Sequence, residues 1–328
     1  MKNNYFYLLL LVITFISTLF ITKSIIPKLS KSAKQPIYTD GPDWHIKKSG
    51  TPTMGGIGFI IPSVALMVII SFSALANENY DPGLSLLISS TFCLLNSFIG
   101  VWDDLIKIRH SKNAGLTPRQ KLFFQTALAI GYLSARNILT NEDTVITFGG
   151  ISINLGVMYY PLAIIFILGI VNCANLTDGV DGLASSVSFA ISISSFLFSL
   201  GRNSTVSIIS AIGVGATVGF LAFNIHPAKI FMGDTGSLFL GALCVCYAFS
   251  LNSLPAYTLV GGVYVIEGLS VIMQVAFFKL TGKRILKMAP LHHHFEKCGY
   301  DENKICIYAM LTTFALSIIA FTMLGGIK

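Results

Sequence analysis

The stretch LSLLISSTFCLLNSFIGVWDDLIK, residues 84–107, joins an apolar run to two adjacent carboxylates, Asp103 and Asp104. An α-helix needs about 20 apolar residues to cross a bilayer, so residues 84–102 predict a membrane span that ends at the two acids. The same succession of apolar run and polar cluster recurs along the chain. Five polar clusters, which hold most of the carboxylates and all six histidines, occupy residues 40–53, 103–121, 172–181, 224–236 and 283–302.

The composition is that of a membrane protein. Of 328 residues, 53% are hydrophobic and 11% are charged, whereas a soluble domain carries about 25% charged residues. The connections between apolar runs are short, so we predict an all-α polytopic membrane protein with one membrane domain over residues 1–328. Its ten predicted transmembrane helices occupy residues 5–22, 54–76, 84–102, 121–138, 156–172, 183–200, 204–223, 237–252, 257–278 and 305–326.

Lysine and arginine predict the orientation. Of the 22 basic residues, four fall on one side of the predicted spans and the other 18 on the opposite side; the four are Lys2, Arg136, Arg202 and Lys328. We therefore expect the basic side and the polar clusters in the cytoplasm, and both termini outside. The net charge of +7 mostly reflects this asymmetry, with some attraction to anionic lipid, and does not indicate nucleic-acid binding. Since charges near a bilayer are costly, acids gathered at one face predict one shared site, as in a membrane enzyme with a charged substrate.

Residues 144–154 show a β pattern on the opposite face. Two short β-runs flank Gly149 and Gly150, a spacing typical of a hairpin. We predict a short extracytoplasmic β-hairpin between the fourth and fifth spans.

The paired acids Asp103 and Asp104 need compensation, because a helix dipole is negative at its C-terminus. If the helix continues, Lys107 lies one turn from Asp103 and partly neutralises it. A divalent cation or a cationic substrate group would relieve the remaining charge. The alternative is a solvated helix end paired with Lys107 and Arg109.

Two further clusters combine oxygen ligands with glycines. Asn175, Asp178 and Asp181 fall at i, i+3 and i+6 with no basic residue nearby, which is typical of an oxygen-rich recognition loop; a polar turn with an N-cap is the alternative. Asp234 lies between glycines just before a predicted span, where a helix N-terminus can hold an anion. An Mg²⁺ ion bridging Asp234 and a phosphate would fit, since Mg²⁺ prefers few carboxylates plus phosphate oxygens.

Three consecutive histidines, His292, His293 and His294, cannot easily converge on one tetrahedral zinc ion. We expect an extended segment, in which His292 and His294 point one way and His293 the other. Contacts to phosphate or sugar fit this segment better than zinc.

Glu267 is the one acid well inside a predicted span, where ionisable groups cost about 2.5–3.5 kcal/mol. Gly261, Gly262 and Gly268 flank it, so we expect the ninth helix to break there. Gln274, one to two turns nearer the cytoplasm, would reach the site.

Together the clusters resemble the phospho-N-acetylmuramoyl-pentapeptide transferase family of bacterial peptidoglycan synthesis. That family belongs to the superfamily that transfers hexosamine phosphates onto polyprenyl phosphates. The resemblance covers essentially the whole chain, and five motifs in register are specific where one alone would not be. The motifs are Asp40-Gly-Pro with Gly50-Thr-Pro-Thr-Met-Gly-Gly56, Asp103-Asp104-x-x-Lys107, Asn175-Leu-Thr-Asp-Gly-Val-Asp-Gly-Leu183, Phe231-Met-Gly-Asp-Thr-Gly-Ser237 and Pro290-Leu-His-His-His-Phe-Glu296.

The resemblance implies a reaction and its participants. UDP-N-acetylmuramoyl-pentapeptide and undecaprenyl phosphate would give lipid I and UMP with Mg²⁺, at the cytoplasmic face of the bacterial inner (plasma) membrane, in a homodimer. Asp234 would be the leading Mg²⁺ ligand, with Asp103 and Asp104 as metal support or acceptor activator. The resemblance implies catalytic roles for Asp103, Asp104, Asp234 and His293, and substrate contacts for Lys48, Thr53, Lys121, Asn175, Asp178, Asp181, Asn224, Gln274, His292 and His294.

Two other functions compete with this interpretation. A sister transferase that uses UDP-N-acetylglucosamine would keep the carboxylates and alter the histidine region. A transporter would use Glu267 and the aspartates as an ion path. Transporters place polar sites near the bilayer midplane, whereas nearly all the acids here lie at one predicted surface.

Overall fold

A computed structural model describes residues 2–33, 50–110, 115–140 and 143–325. This part of the chain is almost entirely helical, with one two-stranded sheet. Its helices are α1 (Lys2–Ser32), α2 (Ile57–Ala76), α3 (Tyr80–His110), α4 (Pro118–Thr140), α5 (Tyr159–Thr177), α6 (Leu183–Ser199), α7 (Ser204–Asn224), α8 (Gly233–Ser250), α9 (Leu254–Val260), α10 (Gly262–Thr281), α11 (Leu291–Lys297) and α12 (Glu302–Met323).

Nine of the ten predicted spans each coincide with one long helix, and the ninth, residues 257–278, covers α10 and part of the seven-residue helix α9. The helix α11, also of seven residues, lies outside the predicted spans. Within the described ranges, seven helices are long and apolar enough to cross a membrane by length and composition; they are α1, α2, α3, α5, α7, α10 and α12. The helix α6 is shorter, with 17 residues. The prediction of an all-α polytopic membrane protein is confirmed.

The helix α8 forms the centre of the bundle. Its residues from position 235 to position 249 are all buried, and α3 and α5 pack directly against it. The outer helices instead expose large apolar side chains such as Ile69, Ile165 and Leu280, which suits contact with lipid. The start of α8 is therefore held inside protein, at one end of the bundle.

The chain breaks at Gly261, between α9 and α10. Close packing accounts for the glycines there: a Cβ atom on Gly262 would lie 2.6 Å from Leu316 Cδ1, and one on Gly268 would lie 2.3 Å from Cys173 Sγ. The ninth predicted span is therefore interrupted, but the break lies at Gly261 and not at Glu267, which lies with Gly268 inside the continuous helix α10.

The predicted hairpin is also confirmed. Strands β1 (Val145–Phe148) and β2 (Ile151–Asn154) pair antiparallel, with Val145 opposite Asn154. Gly149 and Gly150 make the turn with φ of +60° and +78°, a conformation that favours glycine.

The three histidines lie on the helix α11, so the expected extended segment is wrong. Pro290 precedes the helix with φ −63° and ψ 175°, and a fixed proline φ suits a helix start. His293 Nδ1 then pairs with Glu296 Oε2 across one helical turn. The alternation of side chains expected for a strand therefore does not apply.

Candidate active site

Three carboxylates meet where the end of α3 passes the start of α8. Asp103 and Asp104 come from α3 and Asp234 from α8, and each offers an oxygen within 4.8 Å of the others. We call these three residues the carboxylate cluster. Gly100 makes the approach feasible, because a Cβ atom there would lie 2.2 Å from the backbone oxygen of Asp234.

Asp104 caps the start of α8. Its Oδ1 accepts the Asp234 N–H at 3.2 Å, and its Oδ2 accepts the N–H and hydroxyl of Thr235 at 2.9 and 2.7 Å. The first N–H groups of a helix have no partner within the helix, and an anion is favourable there. Asp104 therefore fixes the position of Asp234.

Two lysines neutralise the carboxylate cluster. Lys107 Nζ lies 2.6 Å from Asp103 Oδ2 and 3.1 Å from Asp234 Oδ1, so the predicted pairing one turn along α3 is confirmed. Lys121, at the start of α4, lies 2.7 Å from Asp234 Oδ2 and 3.0 Å from Asn175 Oδ1. Burial opposes ionisation of Asp234, but the charges of Lys121 and Lys107 outweigh it and lower the pKa of that carboxyl.

The backbone of Gly233 lies against the carboxylate cluster, where a side chain would not fit. Its φ is +70°, and a Cβ atom there would lie 2.5 Å from Asp104 Oδ2 and 2.9 Å from Thr53 Oγ1. Thr53 therefore lies beside the carboxylate cluster, as its predicted role requires. Lys48 lies outside the described residues.

The loop formed by residues 178–182 joins α5 to α6 beside the carboxylate cluster. Just before it, Asn175 donates to Ser237 Oγ at 2.8 Å, which connects α5 to the second turn of α8. Burial, together with the charges of Asp234 and Asp104, raises the pKa of Asp178 well above its usual value. The predicted recognition loop therefore adjoins the carboxylates, but Asn175 lies in the last turns of α5 and contacts a basic residue, Lys121.

Asp181, on the same loop, directs its carboxylate into the protein. Its Oδ2 accepts the Ala228 N–H at 3.0 Å and lies 3.0 Å from His226 Nδ1. The backbone N–H of Asp181 donates to Glu302 Oε2 at 3.0 Å. The group formed by Asp181, His226 and Glu302 also offers ligand atoms within 4.8 Å of one another.

The histidine helix packs against the same loop. His292 is buried, and its Nδ1 lies 3.1 Å from Glu267 Oε2. A Cβ atom on Gly179 would lie 2.2 Å from His292 Nε2, so only glycine fits there. His294 Nδ1 accepts the Lys287 N–H at 3.1 Å.

Two predicted substrate contacts have their polar atoms engaged within the protein. Asn224 is buried; its Oδ1 accepts from Ser185 Oγ at 2.8 Å and its Nδ2 donates to the Ile230 oxygen at 3.0 Å. Gln274 exchanges hydrogen bonds with the backbone of Leu286 at 3.0 and 3.1 Å. Both side chains hold nearby backbone, and their contact with a substrate stays a prediction.

Glu302 and His226 were not predicted as site residues. Their contacts with Asp181 span 121 and 45 residues, so no local spacing points to them. The available signals were weak: Glu302 is an acid just before a predicted span, and His226 is a histidine inside a polar cluster.

Comparison with known proteins gives consistent matches. Residues 84–252 match the family described as glycosyl transferase family 4. The chain is 39% identical to a phospho-N-acetylmuramoyl-pentapeptide-transferase of Clostridioides difficile, over 93% of this chain and 94% of that protein. It is 44% identical to the protein of that name from Clostridium botulinum strain Eklund 17B, over 91% and 90%, and 41% identical to the one from Halalkalibacterium halodurans, over 92% of both.

Proposed function

The chain belongs to the phospho-N-acetylmuramoyl-pentapeptide transferase family, and we propose that the carboxylate cluster is the centre of its transfer reaction. There the enzyme transfers phospho-N-acetylmuramoyl-pentapeptide from its UDP carrier to undecaprenyl phosphate, which gives lipid I and UMP in peptidoglycan biosynthesis. One observation supports this assignment above all: three carboxylates and two lysines from α3, α4 and α8 converge at one end of the bundle.

The carboxylate cluster suits Mg²⁺. Its three ligand groups are carboxylates, the type that Mg²⁺ prefers. Three ionised carboxylates beside two lysine ammonium groups have a formal net charge of one negative unit. Asp234 is the best placed ligand, since its side chain is 16% exposed against 4% for Asp103 and for Asp104. A bound Mg²⁺ would neutralise charge on the donor pyrophosphate, with Asp234 holding it.

The lysines would bind the donor phosphates. Phosphoryl transfer depends mainly on positioning and charge neutralisation. Lys121 lies between Asp234 and Asn175, so its ammonium group can exchange a carboxylate for a phosphate oxygen without leaving the site. Lys107 is similarly placed between Asp103 and Asp234.

In this proposal Asp103 and Asp104, the two aspartates of α3, have different roles. Asp104 has three hydrogen bonds to the start of α8, so its role is to position Asp234. Asp103 accepts the Leu116 N–H through Oδ1 and faces Lys107 through Oδ2. Asp103 is therefore the carboxylate that would take a proton from the acceptor phosphate.

The orientation of the protein in the membrane is inferred from the distribution of its basic residues. We place the site at the cytoplasmic face of the bacterial plasma membrane, with both termini outside, because 18 of the 22 Lys and Arg residues fall on the side of the predicted spans that carries the polar clusters. The homodimer rests on the family resemblance. Labelling of single cysteines at positions 2 and 328 with an impermeant reagent in intact cells tests the orientation, and protection of both would contradict it.

Release of UMP by the purified protein tests the function. We expect Mg²⁺-dependent release with UDP-N-acetylmuramoyl-pentapeptide and undecaprenyl phosphate, and little release with UDP-N-acetylglucosamine. Preference for UDP-N-acetylglucosamine would favour the sister transferase. Full activity in a chelator would contradict the role of Mg²⁺.

A further inference from the structure

Asp181 has a protein partner at each of its polar groups. Its N–H donates to Glu302 Oε2 at 3.0 Å, and its carbonyl oxygen accepts from Cys306 Sγ at 3.2 Å. Its carboxylate accepts the Ala228 N–H at 3.0 Å and lies 3.0 Å from His226 Nδ1. The residue thus links its loop to two other parts of the protein.

Those two parts lie far apart in the sequence. Glu302 and Cys306 occupy successive turns at the start of α12, and His226 and Ala228 lie in the connection from α7 to α8. His226 Nδ1 also lies 3.4 Å from Glu302 Oε1, so the contacts close into a ring. Because the Asp181 side chain is only 3% exposed and that of Glu302 only 11%, water cannot readily replace a lost partner.

The ring connects the 178–182 loop to the chain segment that leads into the carboxylate cluster. The loop of residues 178–182 carries Asp178, whose carboxyl group interacts electrostatically with Asp234 and Asp104. The connection from α7 to α8 leads directly to Gly233 and Asp234. A displacement of Asp181 would therefore move the recognition loop relative to the carboxylate cluster.

We infer that Glu302 and His226 are positioning residues, which hold the 178–182 loop in its donor-binding arrangement by securing Asp181. This role rests on the proposed function, in which the loop contacts the donor. It also reassigns Asp181: its side chain sets the shape of the loop, and Asp178 and Asn175 contact the donor. The acceptor site, at Asp103, is not part of the ring.

Steady-state kinetics of Glu302→Ala test the inference. Loss of one buried hydrogen bond should raise the donor KM about five- to tenfold, with kcat and the acceptor KM within about twofold. Glu302→Gln keeps an oxygen acceptor for the Asp181 N–H and should restore most of the donor affinity. His226→Ala should raise the donor KM in the same direction by less, since the His226 side chain is 36% exposed.

Asp301→Ala is the matched control. Asp301 caps α12 by accepting the Asn303 N–H at 3.0 Å, so its loss loosens the same helix start without removing the contact to Asp181. The donor KM should stay near the wild-type value. An equal rise in Asp301→Ala and Glu302→Ala would overturn the inference, because the effect would then belong to α12 as a whole.

Hydrogen exchange without substrate separates this inference from the proposed function. Glu302→Ala should speed exchange over residues 178–182, and Asp301→Ala should not. Combined with Asp178→Asn, Glu302→Ala should add little further loss of donor affinity, since both act through one loop. Unchanged exchange and unchanged donor KM would overturn the positioning role. Wild-type protein that releases no UMP would overturn the proposed function, while the exchange result would still decide whether Glu302 holds the loop.

Discussion

The carboxylate cluster and the 178–182 loop both bury acids, and they compensate them differently. Asp234 faces two ammonium groups at 2.7 and 3.1 Å, whereas Asp181 faces a backbone N–H and a histidine ring. Mobile cations on long side chains can change partners when a phosphate or metal ion arrives. Hydrogen bonds to backbone fix one shape. The difference fits our proposal that the cluster performs the transfer and that the loop supplies a rigid surface for the donor.

Asp234→Asn should give the largest effect, because it removes charge from the cluster and keeps its shape. We expect kcat to fall by about 10²- to 10³-fold, with the melting temperature near that of the wild type. Asp81→Asn, at the opposite end of α3, is the control and should leave kcat unchanged. Near-normal turnover of Asp234→Asn at limiting Mg²⁺ would show that the carboxylate cluster does not perform the transfer, and the proposed difference in role between cluster and loop would fail.

Gly100→Ala should come next, since it alters the geometry of the cluster and none of its charges. The added Cβ atom would meet the Asp234 backbone oxygen at 2.2 Å and push α3 from α8. A displacement of about 1 Å can cost about 100-fold in rate. In Gly131→Ala the Cβ atom has no neighbour within 4 Å, so that variant should keep full activity and gain helix stability. Equal activity of the two variants would show that the helix contact does not position Asp234.

Variants of the recognition loop should act on binding. We expect Asn175→Ala or Asp178→Ala to weaken donor binding by about 1–3 kcal/mol for each lost buried hydrogen bond, and Asp103→Asn or Asp104→Asn to lower kcat more than donor affinity. Donor titration calorimetry beside steady-state kinetics distinguishes the two classes. If loop variants bind donor normally while the α3 variants lose binding, the assigned roles are reversed.

The smallest expected effect is on stability. Because burial raises the pKa of Asp178, its carboxyl stabilises the folded protein below the unfolded-state pKa, and that contribution is lost as the pH rises through the raised folded-state pKa. Asp178→Asn has no carboxyl group to ionise, so the variant does not show this pH-dependent loss of stability. The melting temperature of the variant relative to the wild type should therefore rise with pH over that window, measured without divalent cations. A pH-independent difference would contradict the raised pKa.

Local sequence patterns predicted most of the fold. Apolar run length located the ten long helices, and Gly149 with Gly150 located the hairpin. Spacing along α3 predicted the contact between Lys107 and Asp103, which lie one turn apart. These features depend on neighbours in sequence, so a single chain reveals them. The meeting of Asp104 with Asp234 joins residues 130 positions apart, and it was expected from the placement of the polar clusters on one face and from the family resemblance.

The surroundings of the 178–182 loop were not predictable in the same way. His292 meets Glu267 across 25 residues, and Asp181 meets Glu302 across 121. Such contacts depend on how α10, α11 and α12 pack, which hydrophobic spacing does not specify. The extended segment expected for the histidines failed for a different reason, because two local features, Pro290 and the pairing of His293 with Glu296, favour a helix.

Iron-mediated cleavage tests the central claim, that the carboxylate cluster holds the divalent ion for transfer. Fe²⁺ bound in place of Mg²⁺, with ascorbate and peroxide, cuts the backbone nearest to it. We predict cuts close to residues 103–104 and 233–235, which excess Mg²⁺ suppresses and Asp234→Asn abolishes. Cuts near Asp181, His226 and Glu302, the second group of possible ligands among the described residues, with none at the carboxylate cluster, would contradict the account.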